Sequence, residues 1–286
     1  MTVAVATAIA DVRSRIAAAR RSGKTIGFVP TMGALHEGHA SLIREARSAT
    51  GFVVVSIFVN PAQFGPSEDL SRYPRPLEAD LALCSSCGAD LAFVPSVEMI
   101  YPPGFRTYVE VTGLQDVLEG SSRPGHFRGV ATVVLKLFNM VQPDFAWFGQ
   151  KDGQQVRIIQ QLVRDLDLPV EIRVGSTVRE RDGLALSSRN QYLDAAQRQA
   201  APMLAQALEA ARKQALAGER RAAVLLKTMT EIISRAPGSK VDYVAVVDAD
   251  TLQPLDTLAG KAMLALAVRF GSTRLIDNIL VDVNDR

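Results

Sequence analysis

Residues 30–39 read Pro30-Thr31-Met32-Gly33-Ala34-Leu35-His36-Glu37-Gly38-His39 and form the predicted turn between a buried strand and a helix. Residues 24–29 before the turn are a short apolar run typical of a buried strand. Residues 40–46 after it carry Leu42 and Ile43 on one helical face. Open α/β sheets bind their ligands at such carboxyl ends of strands, and the N–H groups that begin a helix favour an anion.

The chain has only 3 histidines, and His36 and His39 both lie in this turn. Because they are three residues apart on a helical turn, their side chains share a face. Two imidazoles beside a helix N-terminus suit a phosphate chain better than a metal, since a metal site needs more ligands. Alternatively, the pair only caps the helix or lines the edge of the core, and the sequence leaves this open. Gly33 and Gly38 let the backbone approach a ligand closely.

Composition excludes several classes of protein. A length of 286 residues suggests about two domains, and 48% hydrophobic with 22% charged residues is ordinary for a globular protein. A net charge of +2 argues against nucleic-acid binding driven by bulk charge. No apolar run reaches membrane-spanning length. The N-terminal region has a helical stripe of Ile9, Val12 and Ile16 and lacks the basic start of a secretory signal.

Cys84 and Cys87 are the only cysteines, and their spacing fits either a redox pair or half of a zinc site. No second pair is present to complete a zinc site. The two thiols are predicted near the end of a helix, which does not lower a thiol pKa, so we do not expect a redox role. Absence of a disulfide framework indicates a reducing compartment, and we expect a cytoplasmic location.

The histidine turn resembles the His-x-Gly-His motif of the nucleotidyltransferase superfamily. The sequence of this turn resembles even more closely that of one member family, the pantothenate synthetases (pantoate–β-alanine ligases). The resemblance extends over essentially the whole chain, in several motifs that occur in the same order.

The second motif follows the almost continuously apolar segment 52–59, which predicts a strand covered on both faces. It ends in a loop shaped by prolines and a glycine, in which Gln63 offers one amide to orient a neutral hydroxyl, amide or carboxylate group. Read alone, Gln63 is a surface loop residue. The resemblance assigns it to pantoate and β-alanine, and the similarity continues through Ser67, Glu68, Asp69, Arg72, Tyr73 and Pro74.

A parallel sheet is predicted from the alternation of further strands and helices. Residues 76–87 are a predicted helix and 90–94 a strand, whereas 107–111 alternate and predict a short edge or hairpin strand. Residues 118–130 are predicted as a flexible basic loop that meets a helix over about 130–140. In that loop, Arg123, His126 and Arg128 either reach an anion or hold the loop to the helix start, and both interpretations stay open.

A second strand-turn-helix is predicted after the strand 144–148. Its turn, Gly149-Gln150-Lys151-Asp152, supplies one positive charge on Lys151 and a carboxylate that can cap the helix or receive a metal-bound water. Alone this is a weak signal, and it is stronger beside the histidine turn. The resemblance assigns the turn to ATP and Gln155, one turn into the helix, to pantoate.

A third polar segment, residues 177–190, follows the predicted strand 169–174. Its tip, Ser187-Ser188-Arg189, carries hydroxyls and a guanidinium that can close over phosphates, as mobile lids do. It resembles the second superfamily motif, often Met-Ser-Ser-Arg. Leu186 here takes the position of Met and keeps its apolar volume.

The predicted fold class is α/β: a Rossmann-like parallel sheet with helices on both faces, followed by a smaller α+β C-terminal domain. The C-terminal region has predicted helices at about 195–217 and 220–235 and predicted strands at 241–247, 262–268 and 275–280. We expect residues 1–185 to bind nucleotide and pantoate and residues 186–286 to close over them as a lid.

The activity implied by the resemblance is ATP-dependent condensation of pantoate with β-alanine through a pantoyl adenylate, with release of AMP and pyrophosphate. The expected small-molecule partners are ATP, which enters with magnesium, pantoate and β-alanine. The resemblance also implies a homodimer, and we expect no binding to nucleic acid or to a membrane. No direct protein ligand to a metal is expected. The resemblance gives catalytic roles to His36, His39, Lys151, Ser187, Ser188 and Arg189. It gives ATP contacts to Met32, Gly33, Ala34, Leu35, His36, Glu37, Gly38, His39, Gly149, Gln150, Lys151, Asp152, Val178, Leu186, Ser187, Ser188 and Arg189. Gln63 and Gln155 are the expected substrate-binding residues. Three alternatives remain open. They are a nucleotidyltransferase that stops at a nucleotide-linked product, an RNA-binding synthetase-like protein and a non-catalytic nucleotide-binding module.

Overall fold

The computed structural model describes residues 2–66 and 68–284, so the position of Ser67 lies outside the described residues. The strands are β1 Ala4–Ala6, β2 Ile26–Thr31, β3 Phe52–Ile57, β4 Leu91–Phe93, β5 Phe145–Gly149, β6 Glu171–Gly175, β7 Ser239–Asp248, β8 Lys261–Phe270 and β9 Thr273–Asp282. The α-helices are α1 Ile9–Arg21, α2 Glu37–Ala49, α3 Leu77–Ser86, α4 Val97–Ile100, α5 Glu119–Ser122, α6 His126–Val141, α7 Gly153–Asp165, α8 Ala195–Ala200, α9 Met203–Leu216 and α10 Ala222–Ile233. Short 3₁₀ turns occupy Pro61–Gln63, Gln150–Asp152 and Ser188–Tyr192.

The chain forms two compact units. The first contains residues 1–115, 123–150 and 155–176, and the second contains 116–122, 151–154 and 177–286. The division predicted from the sequence, 1–185 and 186–286, stays a prediction. None of the helices within the described part of the chain is both long and apolar enough to cross a bilayer.

A six-stranded parallel sheet forms the first unit, in the order β1-β4-β3-β2-β5-β6. The chain leaves β2 toward β3 on one side and later returns to pair β5 on the other side, so the strand order reverses at β2 and β5. Such a switch point opens a crevice at the carboxyl edge of the sheet.

Helices cover both faces of this sheet, which confirms the predicted fold class. Consecutive residues of β2 point to opposite faces. Val29 packs in one cluster with Ile43 of α2, whereas the ring of Phe28 lies edge-on to Phe138 of α6. The central strand β3 is buried from residue 53 to residue 57, with Val53, Val54 and Val55 all 0% exposed. Its almost unbroken apolar sequence reflects this cover on both sides.

The second unit has a three-stranded antiparallel sheet in the order β7-β8-β9. Its apolar core joins α9 and α10 to one face of this sheet. The predicted α+β arrangement is confirmed, but the helix predicted over about 195–217 is wrong as one element. It is interrupted between α8 and α9 at Ala201 and Pro202, because proline supplies no N–H to the helix.

Residues 107–111 form no strand, so the predicted edge or hairpin strand is wrong. The N–H of Val109 donates to Thr132 Oγ1 of α6 at 3.0 Å and therefore takes no part in a ladder. The rings of Phe105 and Tyr108 meet edge to face, and Lys136 of α6 lies 4.4 Å from the centroid of Phe105. The alternating pattern thus reflects packing of an extended segment on a helix.

The start of helix α6 and the presence of strand β1 also differ from the sequence prediction. Helix α6 begins at His126, four residues before the predicted start, because Gly125 at φ +80° reverses the chain there. Strand β1 was not predicted, since three residues pairing with β4 are too short to show a periodic pattern.

Gly129 of α6 is the position where the helix meets the 3₁₀ turn Pro61–Gln63. A Cβ atom there would overlap the backbone of Ala62 and lie 2.7 Å from Cα of Gln63. We therefore expect Gly129→Ala to lower the free energy of unfolding by about 1–3 kcal/mol, the usual cost of overpacking. Urea denaturation measures this. Gly65→Ala is the matched control, because its Cβ would meet nothing closer than the Glu68 side chain at 3.7 Å. Equal stability of the two variants would contradict the close approach.

Candidate active site

The segments that leave β2, β3 and β5 start at one edge of the parallel sheet. Strand β2 pairs in parallel with both β3 and β5, so their carboxyl ends are neighbours. The histidine turn follows β2, the turn containing Gln63 follows β3, and Gly149 and Gln150 lie at the end of β5. In the first unit the fold therefore brings together segments that are far apart in sequence, at its topological switch point.

The histidine turn is held in a fixed, partly strained conformation. Gly33 and Ala34 have φ values of +83° and +50°, and the second is unfavourable for a residue with a side chain. Asp80 of α3, which is 2% exposed, accepts hydrogen bonds from Ala34 N at 2.9 Å and Leu35 N at 2.7 Å. Thr31 Oγ1 accepts a further bond from Gly33 N at 3.2 Å. A buried carboxylate thus maintains the strained turn.

His36 and His39 are joined in a reciprocal helix cap. The Nδ1 atom of His36 accepts from Gly38 N at 3.1 Å, and Nδ1 of His39 accepts from His36 N at 3.3 Å. Since a backbone N–H only donates, each ring in its neutral form carries its proton on Nε2. The capping role considered for the histidines is therefore observed. It does not conflict with anion binding, because the cap orients both rings and a neutral ring of this kind carries its proton on Nε2.

Glu37, between the two histidines, is turned to the helix surface. Its carboxylate pairs with Arg44 two turns along α2, with an Nη1–Oε1 distance of 2.5 Å. The hydrogen bond from Arg44 lowers the pKa of Glu37 below its ordinary value. Contact of residue 37 with a nucleotide stays a prediction, and its backbone is the part that lies in the turn.

Gln63 is buried and fixed on both ends of its amide. Its Oε1 accepts from Asn60 Nδ2 at 3.0 Å, and its Nε2 lies 3.0 Å from Met32 Sδ in the histidine turn. Asn60 Oδ1 accepts in turn from the hydroxyl of Tyr101 at 2.7 Å. The turns after β2 and β3 therefore touch through Met32 and Gln63. Sequence reasoning missed Asn60 and Tyr101; the Asn-Pro pair at the strand end was the available signal for Asn60.

Arg123 and His126 hold the Gln63 turn to helix α6. Arg123 binds both carboxylate oxygens of Glu68, at 2.6 and 2.8 Å, and its Nη1 lies 3.0 Å from His126 Nε2. His126 Nδ1 lies 2.8 Å from the carbonyl oxygen of Gln63, which can only accept, so this nitrogen donates. Burial opposes ionisation of Glu68, but the hydrogen bond and charge of Arg123 outweigh it and lower the pKa of Glu68. Of the two interpretations left open for this pair, the structural one describes these contacts.

Arg128 belongs to the same predicted basic loop but lies in helix α6. Its nearest carboxylate is Glu110, with an Nη1–Oε1 distance of 3.9 Å, and its guanidinium lies 4.8 Å from the centroid of the Tyr108 ring. It therefore joins the cations that pack on the extended segment 105–110.

Lys151 and Asp152 belong to the second compact unit, although they directly follow Gln150 of the first. Lys151 Nζ lies 3.3 Å from Asp152 Oδ1, and the Lys151 carbonyl accepts from Asn278 Nδ2 of β9 at 2.8 Å. Gln155, the third residue of α7, lies in the first unit. Its neighbour Gln154 is buried and binds the backbone of Val117 and Glu119, a structural contact that the sequence did not indicate.

The segment 177–190 of the second unit is a small hairpin. A bridge pairs Arg179 with Ala185, and the Leu186 N–H donates to the Val178 carbonyl at 3.0 Å. Ser187 then caps the 3₁₀ turn Ser188–Tyr192, since its Oγ accepts from Arg189 N at 3.2 Å. The sequence predicts a polar loop here, and the hydrogen bonding of that loop gives the Ser-Ser-Arg tip a defined base.

Each unit therefore collects part of the predicted site. The first contains Met32, Gly33, Ala34, Leu35, His36, Glu37, Gly38, His39, Gln63, Gly149, Gln150 and Gln155. The second contains Lys151, Asp152, Val178, Leu186, Ser187, Ser188 and Arg189. Convergence of the two sets on one ligand stays a prediction.

The cysteine pair lies in the interior of the first unit. Cys84 and Cys87 are both free and buried. Burial, and then the charge of Asp80, raise the pKa of Cys84 to about 12, so its reactive thiolate form is disfavoured.

Comparison with known proteins identifies the chain. The model of the pantoate-β-alanine ligase family matches residues 4–280. The pantothenate synthetase of Moorella thermoacetica is 58% identical over 277 residues, which cover 97% of this chain and 98% of the relative. That of Herpetosiphon aurantiacus is 54% identical over 278 residues, covering 97% and 99%.

Solved structures show the same likeness. The crystal structure of pantothenate synthetase from Thermus thermophilus has a TM-score of 0.92 and 48% identity, covering 98% of this chain and 99% of that one. A pantoate-β-alanine ligase from Francisella tularensis, complexed with beta-gamma ATP and β-alanine, has a TM-score of 0.78 and 37% identity, covering 97% of each chain.

The parallel sheet, with a capped histidine turn at its switch point, defines a Rossmann-like α/β protein. Within that class the particular family follows from the matches over nearly the whole chain. The chain belongs to the pantoate-β-alanine ligase family.

Asp80→Asn tests the support of the histidine turn. A carboxylate accepts from two N–H groups, whereas an amide presents its own N–H to one of them, so we expect a loss of about 1–3 kcal/mol at neutral pH. Burial raises the pKa of Asp80 from 3.8, against the opposing backbone hydrogen bonds. A raised carboxyl pKa favours the folded state at low pH, and this contribution is lost as the pH rises through the folded-state pKa. The stability gap between wild type and variant should therefore widen as the pH falls toward 3.8.

Urea unfolding at several pH values measures both effects. Glu78→Gln is the matched control, because Glu78 lies exposed on the same helix. A gap that stays constant with pH would contradict the raised pKa of Asp80, and a variant as stable as wild type at neutral pH would show that Asp80 does not support the turn.

Proposed function

We propose that this protein condenses pantoate with β-alanine to form pantothenate, using ATP and passing through a pantoyl adenylate. Family membership over residues 4–280 supports the proposal. The observation that carries it is the capped histidine turn at the carboxyl end of β2, where Nδ1 of each ring accepts a backbone N–H. The nucleotide and β-alanine seen with the Francisella relative are the two reactants other than pantoate.

The first step joins two anions. A carboxylate oxygen of pantoate attacks the α-phosphorus of ATP, and the bond between that phosphorus and the pyrophosphate oxygen breaks. Pyrophosphate leaves with the magnesium that entered with ATP. Negative charge gathers on the phosphate oxygens, so positioning and charge neutralisation should supply most of the rate.

Fixed donors suit this requirement. His36 and His39 would donate Nε2–H to phosphate oxygens, and their orientation is set by the cap before any ligand binds. Lys151 would add a point charge, and Ser187, Ser188 and Arg189 would bind the same phosphates. The family resemblance makes His39 a proton donor. The cap supports donation of a hydrogen bond from the neutral ring, because Nδ1 already accepts a backbone N–H.

The second step forms the amide. The neutral amine of β-alanine attacks the acyl carbon of the adenylate, AMP leaves with the bonding pair, and the nitrogen loses a proton. Gln63 and Gln155 would hold pantoate by neutral hydrogen bonds. The amide of Gln63 is suited to this, since its orientation is fixed by Asn60.

Magnesium, location and assembly are part of the proposal. Magnesium would be held mainly by phosphate oxygens, since the part of the chain that the structure describes has no group of three or more His, Cys, Asp or Glu residues placed to hold an ion. Free, buried cysteines suit a reducing cytoplasm. The homodimer rests on the family resemblance, and sedimentation velocity measures it.

An assay of AMP formation tests the function directly. With ATP and both substrates we expect continuous turnover to AMP and an amide product identified by mass spectrometry. With pantoate alone we expect pyrophosphate–ATP exchange and little net AMP. Exchange without any amide product would instead identify a nucleotidyltransferase that stops at the nucleotide-linked acid.

His39→Ala tests the histidine turn. We expect adenylate formation, followed as pyrophosphate release, to fall more than ~100-fold, the scale for losing one preorganised donor to a developing charge. Ser48→Ala on the same helix is the control, because Ser48 lies exposed near its end. Pyrophosphate release within a few-fold of wild type would remove His39 from the chemistry.

A further inference from the structure

Strand β9 binds two segments that the proposed function places in the active site. Asp277 and Asn278 are adjacent in β9 and only 3% and 6% exposed. Their side chains point to opposite faces of the sheet because neighbouring residues of a strand alternate. Both residues, and both segments that they bind, lie within the second unit.

Asp277 fixes the base of the hairpin that carries the Ser-Ser-Arg tip. Its carboxylate binds Arg179 in a two-point contact, with distances of 2.6 and 3.0 Å to the guanidinium nitrogens. Arg179 also donates to the Gly183 carbonyl at 3.1 Å and pairs with Ala185 across the hairpin. Planar two-point binding sets the direction of a guanidinium as well as its position. The residues that lead into Ser187 are therefore anchored to β9.

Asn278 fixes the main chain of Lys151. Its Nδ2 donates to the Lys151 carbonyl at 2.8 Å. The other end of that segment is tied by Gln154, which binds the N–H of Glu119 and the carbonyl of Val117. Glu119 is in turn paired with Arg274 of β9 at 2.5 and 2.8 Å. The segment 151–154 is thus held to one face of the sheet at both ends.

Anchoring the main chain matters for lysine in particular. The ammonium of Lys151 ends a flexible four-carbon stem, so its reach is defined only if its Cα is fixed. A charge that stabilises a transition state is most effective when it needs no reorganisation during the reaction. The same holds for the hydroxyls and guanidinium of the hairpin tip.

We propose that Asp277 and Asn278 are positioning residues: they hold the Ser187–Arg189 tip and Lys151 at fixed positions relative to strand β9. The inference rests on the proposed function, because it assumes that these groups bind the phosphates of ATP. It gives the C-terminal sheet a role in the first chemical step, through one carboxylate and one amide that touch no substrate themselves.

A double-mutant cycle tests the amide. We expect Asn278→Ala to slow pyrophosphate release roughly 10- to 100-fold, the scale for a catalytic group displaced by about 1 Å. In a Lys151→Ala background the same change should cost less than about 2-fold, since the effect passes through that lysine. Single-turnover measurement at high enzyme concentration keeps the slow variants measurable. A matched control is Asn284→Ala, an exposed asparagine of the same unit.

A second cycle tests the hairpin anchor without removing a buried charge. Arg179→Lys keeps the cation beside Asp277 but loses two-point binding. It should weaken binding of α,β-methylene-ATP about 10-fold in wild type and little in an Arg189→Ala background. Circular dichroism melting monitors folding of every variant.

The outcomes separate the two proposals. Equal losses in both backgrounds of each cycle, or unchanged rate and binding in Asn278→Ala and Arg179→Lys, would overturn the positioning role while the wild type still makes pantothenate. No amide product from wild type and Asn284→Ala would overturn the proposed function itself.

Discussion

Parallel hydrogen bonding of β2 with both β3 and β5 is the constraint on which the first unit depends. Because all of these strands run the same way, every segment that leaves them starts at one edge. Residues 32 and 149, which are far apart in sequence, thereby lie at the same edge. Strand pairing alone brings them there, and no direct contact between them is needed. The strand order also reverses there, and such a reversal opens a crevice at the carboxyl edge of a sheet. The ladder thus determines where a ligand can enter, and the polar side chains determine which ligand fits.

Local order in that crevice comes from buried polar contacts. Asp80 binds the N–H groups of a turn that contains a non-glycine residue at positive φ, and Asn60 orients the amide of Gln63. The histidines show how one side chain serves structure and chemistry together. Each satisfies a backbone N–H at the start of α2, and that bond leaves the neutral ring with its proton on the opposite nitrogen. A purely structural and a purely functional interpretation of this pair were therefore never exclusive.

The sequence predicted those features that have a local pattern. The apolar run of β3, the strand-turn-helix at 30–39 and the change to alanine- and leucine-rich helices near residue 195 were enough for the fold class. The predicted helix boundaries were wrong where a single residue determines the boundary, as Pro202 does between α8 and α9 and Gly125 does before α6. The segment 107–111 alternates like a strand because it packs on α6, and the pattern cannot tell a helix neighbour from a strand neighbour. Four residues were missed, because each is a single polar residue whose partner lies 41 to 127 positions away: Asp80, Tyr101, Asp277 and Asn278. Only the folded chain brings such partners together.

The pair Glu119–Arg274 has a practical consequence for exchanging parts between relatives. Arg274, with its side chain 13% exposed, is bound by Glu119 from a segment inserted more than a hundred residues earlier, and by Asp242 of β7. A fragment that starts at Thr177 would keep all three strands of the antiparallel sheet and lose that glutamate, leaving a buried guanidinium half compensated. In a chimaera that joins the C-terminal third of one homologue to another, the stability of the C-terminal sheet therefore also depends on residues 116–122. Residues 116–122, 151–154 and 177–286 are best transplanted as one set.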